Sequence, residues 1–349
     1  MAHVRYGPEW GGEDMQYRGL GRTGVRVSLL CLGAWQYGER TPREEAIRLV
    51  DRAIGEGINF YDTADIYGRG RSEEILGEAL RQTGQRERVV LATKFHGRMV
   101  QDDPNAVGNS RFHIIQACEA SLRRLGTDHI DLYIFHSPQA EIPIDESLRA
   151  LDDLVRAGKV RYVGTSNFTA WQMTEALWAA HALSLNRPVA SQPAYNLLDR
   201  RAEREQIPMA RSYDIAVTPW SPLAQGFLTG KYRRNGSGEG DARLKAGVSA
   251  TRGDHFQDAA FDVVETLEAI AADKGCTISQ LALAWCIGQP GITSAIVGPR
   301  TMEQLVDNLG ALEVTLSEAD RERIDAVSPP GDKIVHYHRA DTRPRARWL

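Results

Sequence analysis

The segment Val27-Ser28-Leu29-Leu30-Cys31-Leu32-Gly33 is a short β-rich apolar run, and the repetition of such runs along the chain decides the fold. Seven similar runs follow it, and helical patterns separate them. Most begin about 30 residues apart, which is the length of one strand plus one helix. The eight predicted strands cover 27–33, 58–62, 89–94, 131–135, 160–165, 189–193, 215–219 and 294–297.

Helix start signals lie between these runs. Four segments pair a threonine with a glutamate or glutamine three residues later, a pattern in which each side chain satisfies a backbone N–H at the start of a helix. In the first segment a proline takes the predicted first helical position. The four segments are Thr41-Pro42-Arg43-Glu44, Thr169-x-x-Gln172, Thr277-x-x-Gln280 and Thr301-x-x-Gln304.

Eight strands that alternate with helices fit either a closed (β/α)8 barrel or a doubly wound open sheet. The count of eight favours the barrel. The segment Leu32-Gly33-Ala34-Trp35 also lacks the G-x-G-x-x-G pattern by which many doubly wound sheets bind dinucleotides. We therefore predict an α/β protein that forms a single (β/α)8 TIM barrel, with one domain over 1–349.

Three segments are predicted to lie outside the regular repeat. A β-hairpin is expected near 15–27. The interval from 215 to 294 is too long for one strand and one helix, so it is predicted to hold an extra helix over 261–273 and a long loop after strand 7. The glycine-rich stretch 235–240 of that loop either closes over a bound cofactor or is a disordered solvent loop. The tail over 329–349, with His336, Tyr337 and His338, either folds over the mouth of the barrel or is a flexible terminus.

Composition excludes several classes of protein. The chain has 349 residues, of which 42% are hydrophobic, and its net charge of −4 argues against a nucleic-acid binder. Its apolar runs fall far short of the roughly 20 residues that span a membrane, and no signal-peptide core is visible. The cysteines Cys31, Cys118, Cys276 and Cys286 form no CxxC pair, which argues against a disulfide framework and a zinc cluster. A soluble, cytoplasmic protein without nucleic-acid or membrane partners is expected.

Polar or otherwise unusual residues follow nearly every predicted strand. In a (β/α)8 barrel these carboxyl ends meet on one face, where the chemistry occurs. Taken singly, an aspartate after a strand is usually a turn or helix cap, and a lysine or histidine there is usually solvated. Together they predict a functional site made of Asp62, Lys94, His136, Ser166-Asn167, Gln192, Trp220-Ser221 and Gly298-Pro299-Arg300.

One segment and its sequels resemble the signature of a known family. The run Phe60-Tyr61-Asp62-Thr63-Ala64-Asp65-Ile66-Tyr67-Gly68, with Ser72-Glu73 and Leu76-Gly77 after it, is similar to that of the aldo-keto reductase superfamily. The resemblance extends over about 17–327, and it is closer to the branch of bacterial reductases and potassium-channel β subunits than to the aldose reductase branch. Further matching segments are 92–94, 131–136, 163–168, 192–196, 219–223 and 297–308.

The resemblance implies a catalytic set of Tyr67, Lys94, Asp62 and His136. Tyr67 would donate a proton to the carbonyl oxygen, or accept one in the reverse reaction. A free tyrosine has a pKa near 10, and a lysine cation about 4 Å away would lower it by at most ~3 units before desolvation opposes the change. Asp62 would keep Lys94 charged and oriented, and a neutral His136 would polarise the carbonyl.

The resemblance also implies a nicotinamide dinucleotide across the barrel mouth. Because a guanidinium pairs well with a 2′-phosphate, Arg300 favours NADPH or NADP, and NAD is less expected. Position 307 is Asp where relatives often have Glu, and Arg243 is a candidate second phosphate contact. The residues implied in cofactor binding are Ala34, Trp35, Asp62, Ser166, Asn167, Gln192, Trp220, Ser221, Pro222, Leu223, Gln225, Lys231, Arg243, Gly298, Arg300, Gln304, Asp307 and Asn308.

The substrate is expected between Trp35, Tyr67, Phe95 and His136. The implied function is an NADP(H)-dependent oxidoreductase that reduces the carbonyl of an aldehyde, ketone or keto-sugar to an alcohol, reversibly. One alternative is a nicotinamide-nucleotide-sensing regulatory subunit with vestigial reductase activity. A metal-dependent barrel hydrolase is disfavoured, because no histidines and carboxylates cluster at the strand ends, and no metal is predicted. The oligomeric state stays open.

Overall fold

The computed structural model describes residues 15–234 and 256–335, and an antiparallel hairpin precedes its barrel. In this hairpin β1 (Tyr17–Gly19) pairs with β2 (Arg26–Ser28). Gly21 in the turn has a φ of 57°, and a Cβ there would lie 2.7 Å from the Asp214 oxygen and 2.8 Å from the Val189 oxygen. The predicted hairpin is confirmed, and its turn packs directly on the backbone at the amino-terminal end of the barrel.

The predicted first strand, 27–33, is divided in the structure. Its first residues belong to β2, and Leu29 separates them from the barrel strand β3 (Leu30–Gly33). The Ser28 hydroxyl donates to the Leu30 carbonyl at 2.6 Å, while the Leu29 N–H donates to the Gln16 carbonyl at 3.2 Å. The prediction of one continuous strand is wrong. Both parts are equally apolar in sequence, and these local hydrogen bonds divide them.

Seven more parallel strands complete the sheet that β3 begins. Each lies within one or two residues of its predicted bounds. All are short, and nearly all of their residues are buried, as expected for strands covered on both faces. They are β4 (Phe60–Asp62), β5 (Val90–Phe95), β6 (Ile130–Phe135), β7 (Val160–Ser166), β8 (Pro188–Gln192), β9 (Ala216–Val217) and β10 (Ala295–Val297).

The sheet closes on itself. From β3 to β9 each strand pairs in parallel with the next one in the chain, and β10 pairs with β3. Between β9 and β10 the Thr293 N–H donates to the Val217 carbonyl at 2.8 Å, and the Ile296 N–H donates to the Pro219 carbonyl at 2.9 Å. The (β/α)8 barrel is therefore confirmed, and the alternative of an open doubly wound sheet is excluded.

Apolar side chains fill the interior of the barrel. Leu20 from the hairpin joins this interior cluster, so the hairpin covers the amino-terminal end of the barrel. A second, larger cluster lies between the sheet and the surrounding helices. The interior cluster is formed by Leu20, Val27, Cys31, Phe60, Ala92, Leu132, Ile134, Val189, Ala190, Ala216 and Ile296.

Helices surround the sheet in the order that the repeat predicts. The extra helix in the connection between β9 and β10 is α7, which is slightly longer than the predicted 261–273. The helices are α1 (Arg43–Gly55), α2 (Arg71–Thr83), α3 (Arg111–Leu125), α4 (Ile144–Arg156), α5 (Ala170–Ala182), α6 (Gln206–Ser212), α7 (Asp258–Lys274), α8 (Ile278–Ile287), α9 (Met302–Leu309) and α10 (Glu318–Val327).

The predicted helix caps are formed to different extents. Both hydrogen bonds of the capping box are present at Thr169 and Thr277. Thr301 caps α9, but the Gln304 side chain accepts from the Arg300 N–H and not from the cap residue. At α1 the prediction is wrong. Pro42 takes the cap position without a side-chain bond, and the buried Thr41 hydroxyl has no partner in the described part of the chain.

The start of the predicted tail packs on the barrel. The Arg200 N–H donates to the Asp332 carbonyl at 2.8 Å, and the Ile334 N–H donates to the Leu198 carbonyl at 2.9 Å. These bonds fix 329–335 beside the loop that follows β8. The glycine-rich stretch 235–240 and the residues His336, Tyr337 and His338 lie outside the described residues. Within 15–234 and 256–335, no helix is long and apolar enough to cross a membrane.

Gly77 allows two helices to approach closely. It lies inside α2, and a Cβ at this position would be 2.0 Å from the backbone oxygen of Leu125 at the end of α3. A backbone atom cannot rotate away as a side chain can. The close approach of α2 and α3 therefore requires glycine at this position. The same helix α2 follows the turn that carries Tyr67.

We expect Gly77→Ala to lower the free energy of unfolding by about 3 kcal/mol, because the added methyl group forces the two helices apart. Urea denaturation followed by circular dichroism measures this change. Gly55→Ala in α1 is the matched control, since a Cβ there would meet nothing within 4 Å. The control should be neutral or stabilising by up to ~1 kcal/mol. Equal stabilities of the two variants would contradict the close-contact argument.

Candidate active site

A cavity of about 490 Å³ opens at the carboxyl ends of the barrel strands. Its size lies within the range of small-molecule and cofactor sites. Most of the residues singled out in the sequence lie on its wall, although they come from every part of the chain. These are Trp35, Asp62, Tyr67, His136, Ser166, Asn167, Gln192, Trp220, Ser221, Pro222, Leu223, Gln225, Lys231, Gly298, Arg300, Gln304, Asp307 and Asn308.

Lys94 lies at the base of this cavity, where its ammonium group is almost completely buried. Its Nζ donates to Asp62 Oδ1 at 2.5 Å, to the Thr63 carbonyl at 2.8 Å and to Tyr67 Oη at 3.3 Å. Three donors thus meet three acceptors, so the buried cation is fully satisfied. Adjacent strands β4 and β5 supply the aspartate and the lysine, and the turn after β4 supplies the tyrosine.

The charges of this set keep Lys94 protonated. Burial acts to lower the pKa of Lys94, but the Asp62 carboxylate and the Tyr67 hydroxyl outweigh it and raise the pKa above its usual value. For Tyr67, burial raises the pKa above its usual value, and the Lys94 cation offsets this only in part. The net lowering of the tyrosine pKa suggested by the sequence argument is absent here, because desolvation exceeds the attraction of the cation. Tyr67 therefore holds its proton at neutral pH, as an acid must.

His136 and Trp35 flank the tyrosine hydroxyl. His136 Nε2 lies 3.5 Å from Tyr67 Oη, and the two rings meet edge to face with their centroids 5.5 Å apart. Trp35 lies on the other side at 6.4 Å, also edge to face. The oxygen of Tyr67 and the nitrogen of His136 can both reach one oxygen atom placed between them in the cavity, which is the geometry that carbonyl polarisation requires.

A chain of side-chain amides runs across the cavity from the charged set. Gln192 Nε2 donates to Asp62 Oδ2 at 2.9 Å. Asn167, whose φ is 62°, donates from Nδ2 to the His136 carbonyl at 2.9 Å and accepts from Trp220 Nε1 at 3.2 Å. These bonds hold the histidine backbone and the indole in fixed positions. The ends of β6, β7, β8 and β9 are thus joined through one polar network.

A positively charged wall lies beyond Trp220. Ser221, Ala224 and Gln225 have left-handed φ values of 50° to 56°, and the Ala224 N–H donates to the Ser221 carbonyl at 2.9 Å within this turn. Gly226 beside them makes room for the Lys231 ammonium, because a Cβ there would be 2.6 Å from Nζ. Gln225 Oε1 is buried and has no hydrogen-bond partner in the described part of the chain.

The amino-terminal end of α9 forms the opposite wall. Gly298 and Arg300 line the cavity just before this helix. In its first turn the Met302 N–H donates to Glu45 Oε1, and the Gln304 N–H donates to the Thr301 hydroxyl. The Asp307 carboxylate accepts from the Thr277 hydroxyl at 2.8 Å, which ties α9 to the cap of α8. Asn308 is buried one position further on. The cations, the amides and the tyrosine set follow one another along a single cavity.

Four predicted residues are not placed on the cavity wall, and one of them is Lys94, which lies behind Asp62 and Tyr67. Phe95 is completely buried and packs on Tyr133 and Phe135, with ring centroids 4.8 and 5.0 Å away. It therefore belongs to the core between sheet and helices, because its side chain alternates to the opposite face from Lys94. Ala34 is also buried, and its N–H donates to the Asp62 carbonyl at 2.8 Å. Arg243 lies outside the described residues.

Sequence reasoning missed several residues of the wall. Gln36 and Arg40 line it from the loop after β3, and Ser279 lines it from α8. Gln36 is only 6% exposed, and its Oε1 has no partner within the described chain. A signal was present, since Gln36 and Arg40 follow Trp35 in the same loop at a strand end. Within 15–234 and 256–335, no group of three or more histidine, cysteine or acidic side chains is arranged to hold a metal.

The mouth of the closed barrel thus holds a buried tyrosine, lysine and aspartate beside a long polar cavity. The chain belongs to the aldo/keto reductase family, whose sequence model matches residues 29–329. The family resemblance noted in the sequence is thereby confirmed.

Similar proteins carry two kinds of names. A probable voltage-gated potassium channel subunit beta of Oryza sativa subsp. japonica is 39% identical over 93% of this chain and all of its own. The uncharacterized oxidoreductase YrpG of Bacillus subtilis is 39% identical over 91% of this chain and 97% of its own. A putative voltage-gated potassium channel subunit beta of Schizosaccharomyces pombe is 38% identical over 86% and 89%.

Removing the buried ammonium should destabilise the protein. We expect Lys94→Met to lower the free energy of unfolding by about 3–5 kcal/mol, because the Asp62 charge then stays buried without its cation. The double variant Asp62→Asn with Lys94→Met should recover part of this loss, since no charge is then left unpaired. Urea denaturation of the two single variants and the double variant measures the coupling. Additive losses would contradict a direct interaction between the pair.

Proposed function

We propose that this oxidoreductase uses NADP(H) to reduce the carbonyl of an aldehyde, ketone or keto-sugar to an alcohol, and that it also runs in reverse. The observation that carries the proposal is the Tyr67 hydroxyl, which lines the cavity and lies 3.3 Å from the buried Lys94 ammonium that Asp62 binds. This arrangement supplies a proton at one fixed point and excludes water from the other side. We also propose that the protein acts in the cytoplasm, since its four cysteines are unpaired.

The wall of the cavity fits a nicotinamide dinucleotide. Gln225 Oε1, which is buried and has no partner among the described residues, offers a polar partner, and Lys231 offers a cation for the pyrophosphate. Trp220 would hold the nicotinamide against its ring, which is fixed by the hydrogen bond to Asn167. When bound, the reduced nicotinamide supplies the hydride.

The residues of the chain have distinct tasks in the proposed reaction. Tyr67 donates its proton to the carbonyl oxygen as the alcohol forms, and His136 holds that oxygen by a hydrogen bond. Lys94 stabilises the negative charge that the tyrosine oxygen gains, and Asp62 keeps the ammonium oriented. In the reverse direction Tyr67 takes the proton from the alcohol. Trp35, beside the tyrosine, forms the wall against which the substrate binds.

Arg300 supports the choice of NADP(H) over NAD(H). It lines the cavity next to the start of α9, where a guanidinium can pair with a 2′-phosphate. Asp307, the acidic residue that lines this end of the cavity, accepts a hydrogen bond from the Thr277 hydroxyl.

A second candidate function is that of a nucleotide-sensing regulatory subunit. It is favoured by the names of two relatives, which are called channel subunits. Both functions need the cofactor cavity, but only the enzyme needs rapid turnover. NADPH oxidation with a panel of aldehydes, ketones and keto-sugars separates them. Turnover supports the enzyme, whereas tight NADPH binding without turnover across the panel supports the sensor.

We expect Tyr67→Phe to keep NADPH binding but to lower kcat roughly 10²–10⁴-fold, because only the proton donor is removed. Cofactor binding is followed by quenching of tryptophan fluorescence, and kcat by NADPH absorbance. Retention of half or more of the wild-type kcat would contradict the assignment of Tyr67 as the acid.

We expect Arg300→Ala to weaken NADPH binding about tenfold and to leave NADH binding nearly unchanged, since NADH lacks the 2′-phosphate. Lys231→Ala is the matched control. It should weaken both nucleotides to a similar degree, because both carry the pyrophosphate. Titration of each variant with each nucleotide gives the four Kd values. An equal loss for both nucleotides in Arg300→Ala would contradict the proposed 2′-phosphate contact.

A further inference from the structure

Asp65 is a buried acid that the proposed reaction does not use. It lies in the turn between β4 and Tyr67, and its N–H donates to the Lys94 carbonyl at 3.1 Å. Its side chain is fully buried, and neither carboxyl oxygen has a hydrogen-bond partner in the described part of the chain. Gly97 packs closely on it, since a Cβ there would be 3.1 Å from Oδ1. The carboxyl group is thus enclosed by protein.

The charged groups around Asp65 are committed to other partners. Glu73 of α2 accepts from the Thr93 hydroxyl at 2.7 Å and from Arg124 Nε of α3 at 2.6 Å. The Lys94 ammonium of β5 is bound to Asp62 of β4. Asp65 therefore has no cation of its own.

Two tyrosines feel the charge of Asp65. Tyr133 of β6 has a buried hydroxyl with no partner within the described residues, and the charge of Asp65 acts on it. Tyr67 follows Asp65 by two positions, and a charge on Asp65 would raise the pKa of Tyr67 further. The acid is therefore electrostatically coupled to the proton donor without touching it.

The neutral form of Asp65 is the stable one at neutral pH. Burial, and then the Glu73 charge, raise its pKa to about 8. The nearby Ile66 N–H, which does not reach hydrogen-bond geometry, and the Arg124 and Lys94 cations oppose the change only in part. The pKa of Asp65 is therefore higher in the folded protein than in the unfolded chain. Its contribution to the free energy of unfolding is fully present below pH 4 and is lost as the pH rises toward 8. An asparagine of the same shape would avoid this loss.

We propose that Asp65 is a positioning residue that holds its proton while the enzyme reduces a carbonyl. Loss of this proton places a negative charge behind Tyr67, and that charge keeps the Tyr67 phenol protonated. The consequence differs between the two directions of the reaction. Reduction uses the protonated Tyr67, and that charge does not lower the population of this form. Oxidation needs the tyrosinate, which takes the alcohol proton as the hydride leaves for the oxidised cofactor, and is opposed by it. This difference between the two directions rests on the proposed function.

The direct test measures the ionisation of Tyr67 and needs no turnover. The ultraviolet absorbance of tyrosinate is followed from pH 8 to 11 in wild type and in Asp65→Asn, each corrected by the same protein carrying Tyr67→Phe. We expect the Tyr67 transition to fall by about one pH unit in Asp65→Asn, as for two charges roughly 10 Å apart at an effective dielectric near 20. Coincident transitions would overturn the proposal.

The kinetic test compares the two directions. In Asp65→Asn the pH at which kcat for alcohol oxidation rises should be lower by about the same unit, while kcat for reduction at pH 6 changes less. Asp152→Asn is the control, because Asp152 is a buried aspartate that Arg156 and Asn186 hold. The same pH shift in this control would show a general effect of a lost negative charge and would overturn the proposal. If wild type reduces no carbonyl, the proposed function fails, and the absorbance titration still decides the role of Asp65.

A measurement on the wild type covers the case in which Asp65→Asn does not fold. Infrared difference spectra between pH 7 and 9 should show loss of the carbonyl stretch of one protonated carboxylic acid, because the transition lies at about pH 8. Absence of that band would overturn the proposal. Where the variant folds, the band should be missing from its spectra, and its melting temperature at pH 9 should exceed that of the wild type.

Discussion

The site depends on a single buried ammonium group. Burying the Lys94 ammonium away from water costs desolvation free energy. Hydrogen bonds from the ammonium to Asp62, the Thr63 carbonyl and Tyr67 offset that cost. Each of these acceptors lies on β4 or in the turn that follows it. The pairing of β4 with β5 therefore determines the position of the tyrosine hydroxyl. The rest of the cavity is built around a point that two adjacent strands define.

The sequence predicted the architecture because its strongest signal repeats eight times. Short apolar runs about 30 residues apart leave few alternatives, and the polar residues after them lie on one face by the geometry of a parallel barrel. Asp62, Lys94 and His136 were therefore predictable as neighbours although they are far apart in the chain. The family resemblance added Tyr67, which lies in a turn and has no periodic signal of its own.

The errors arose where a contact, and not a pattern, decides the outcome. Phe95 follows Lys94 directly, yet alternation along β5 sends it into the core. Thr41 matches a capping box, but Pro42 takes the cap position and leaves the hydroxyl unused. The sequence gives only an upper limit to the effect of the lysine on the pKa of Tyr67, because it does not show the depth of burial that raises this pKa. The same holds for Gln36 and Arg40, whose place on the wall follows from the path of one loop.

The closure of the barrel has a consequence for synthesis of the chain. β3 pairs with β10, and Arg18 of the hairpin donates to the carbonyls of Ile287 and Ile292 at 2.7 and 2.6 Å. The edge of β3 therefore stays unpaired until β10 leaves the ribosome about 260 residues later. At roughly 5–20 residues per second this delay is tens of seconds. During that time the nascent sheet carries an open apolar edge, a state in which chaperones bind and aggregation begins.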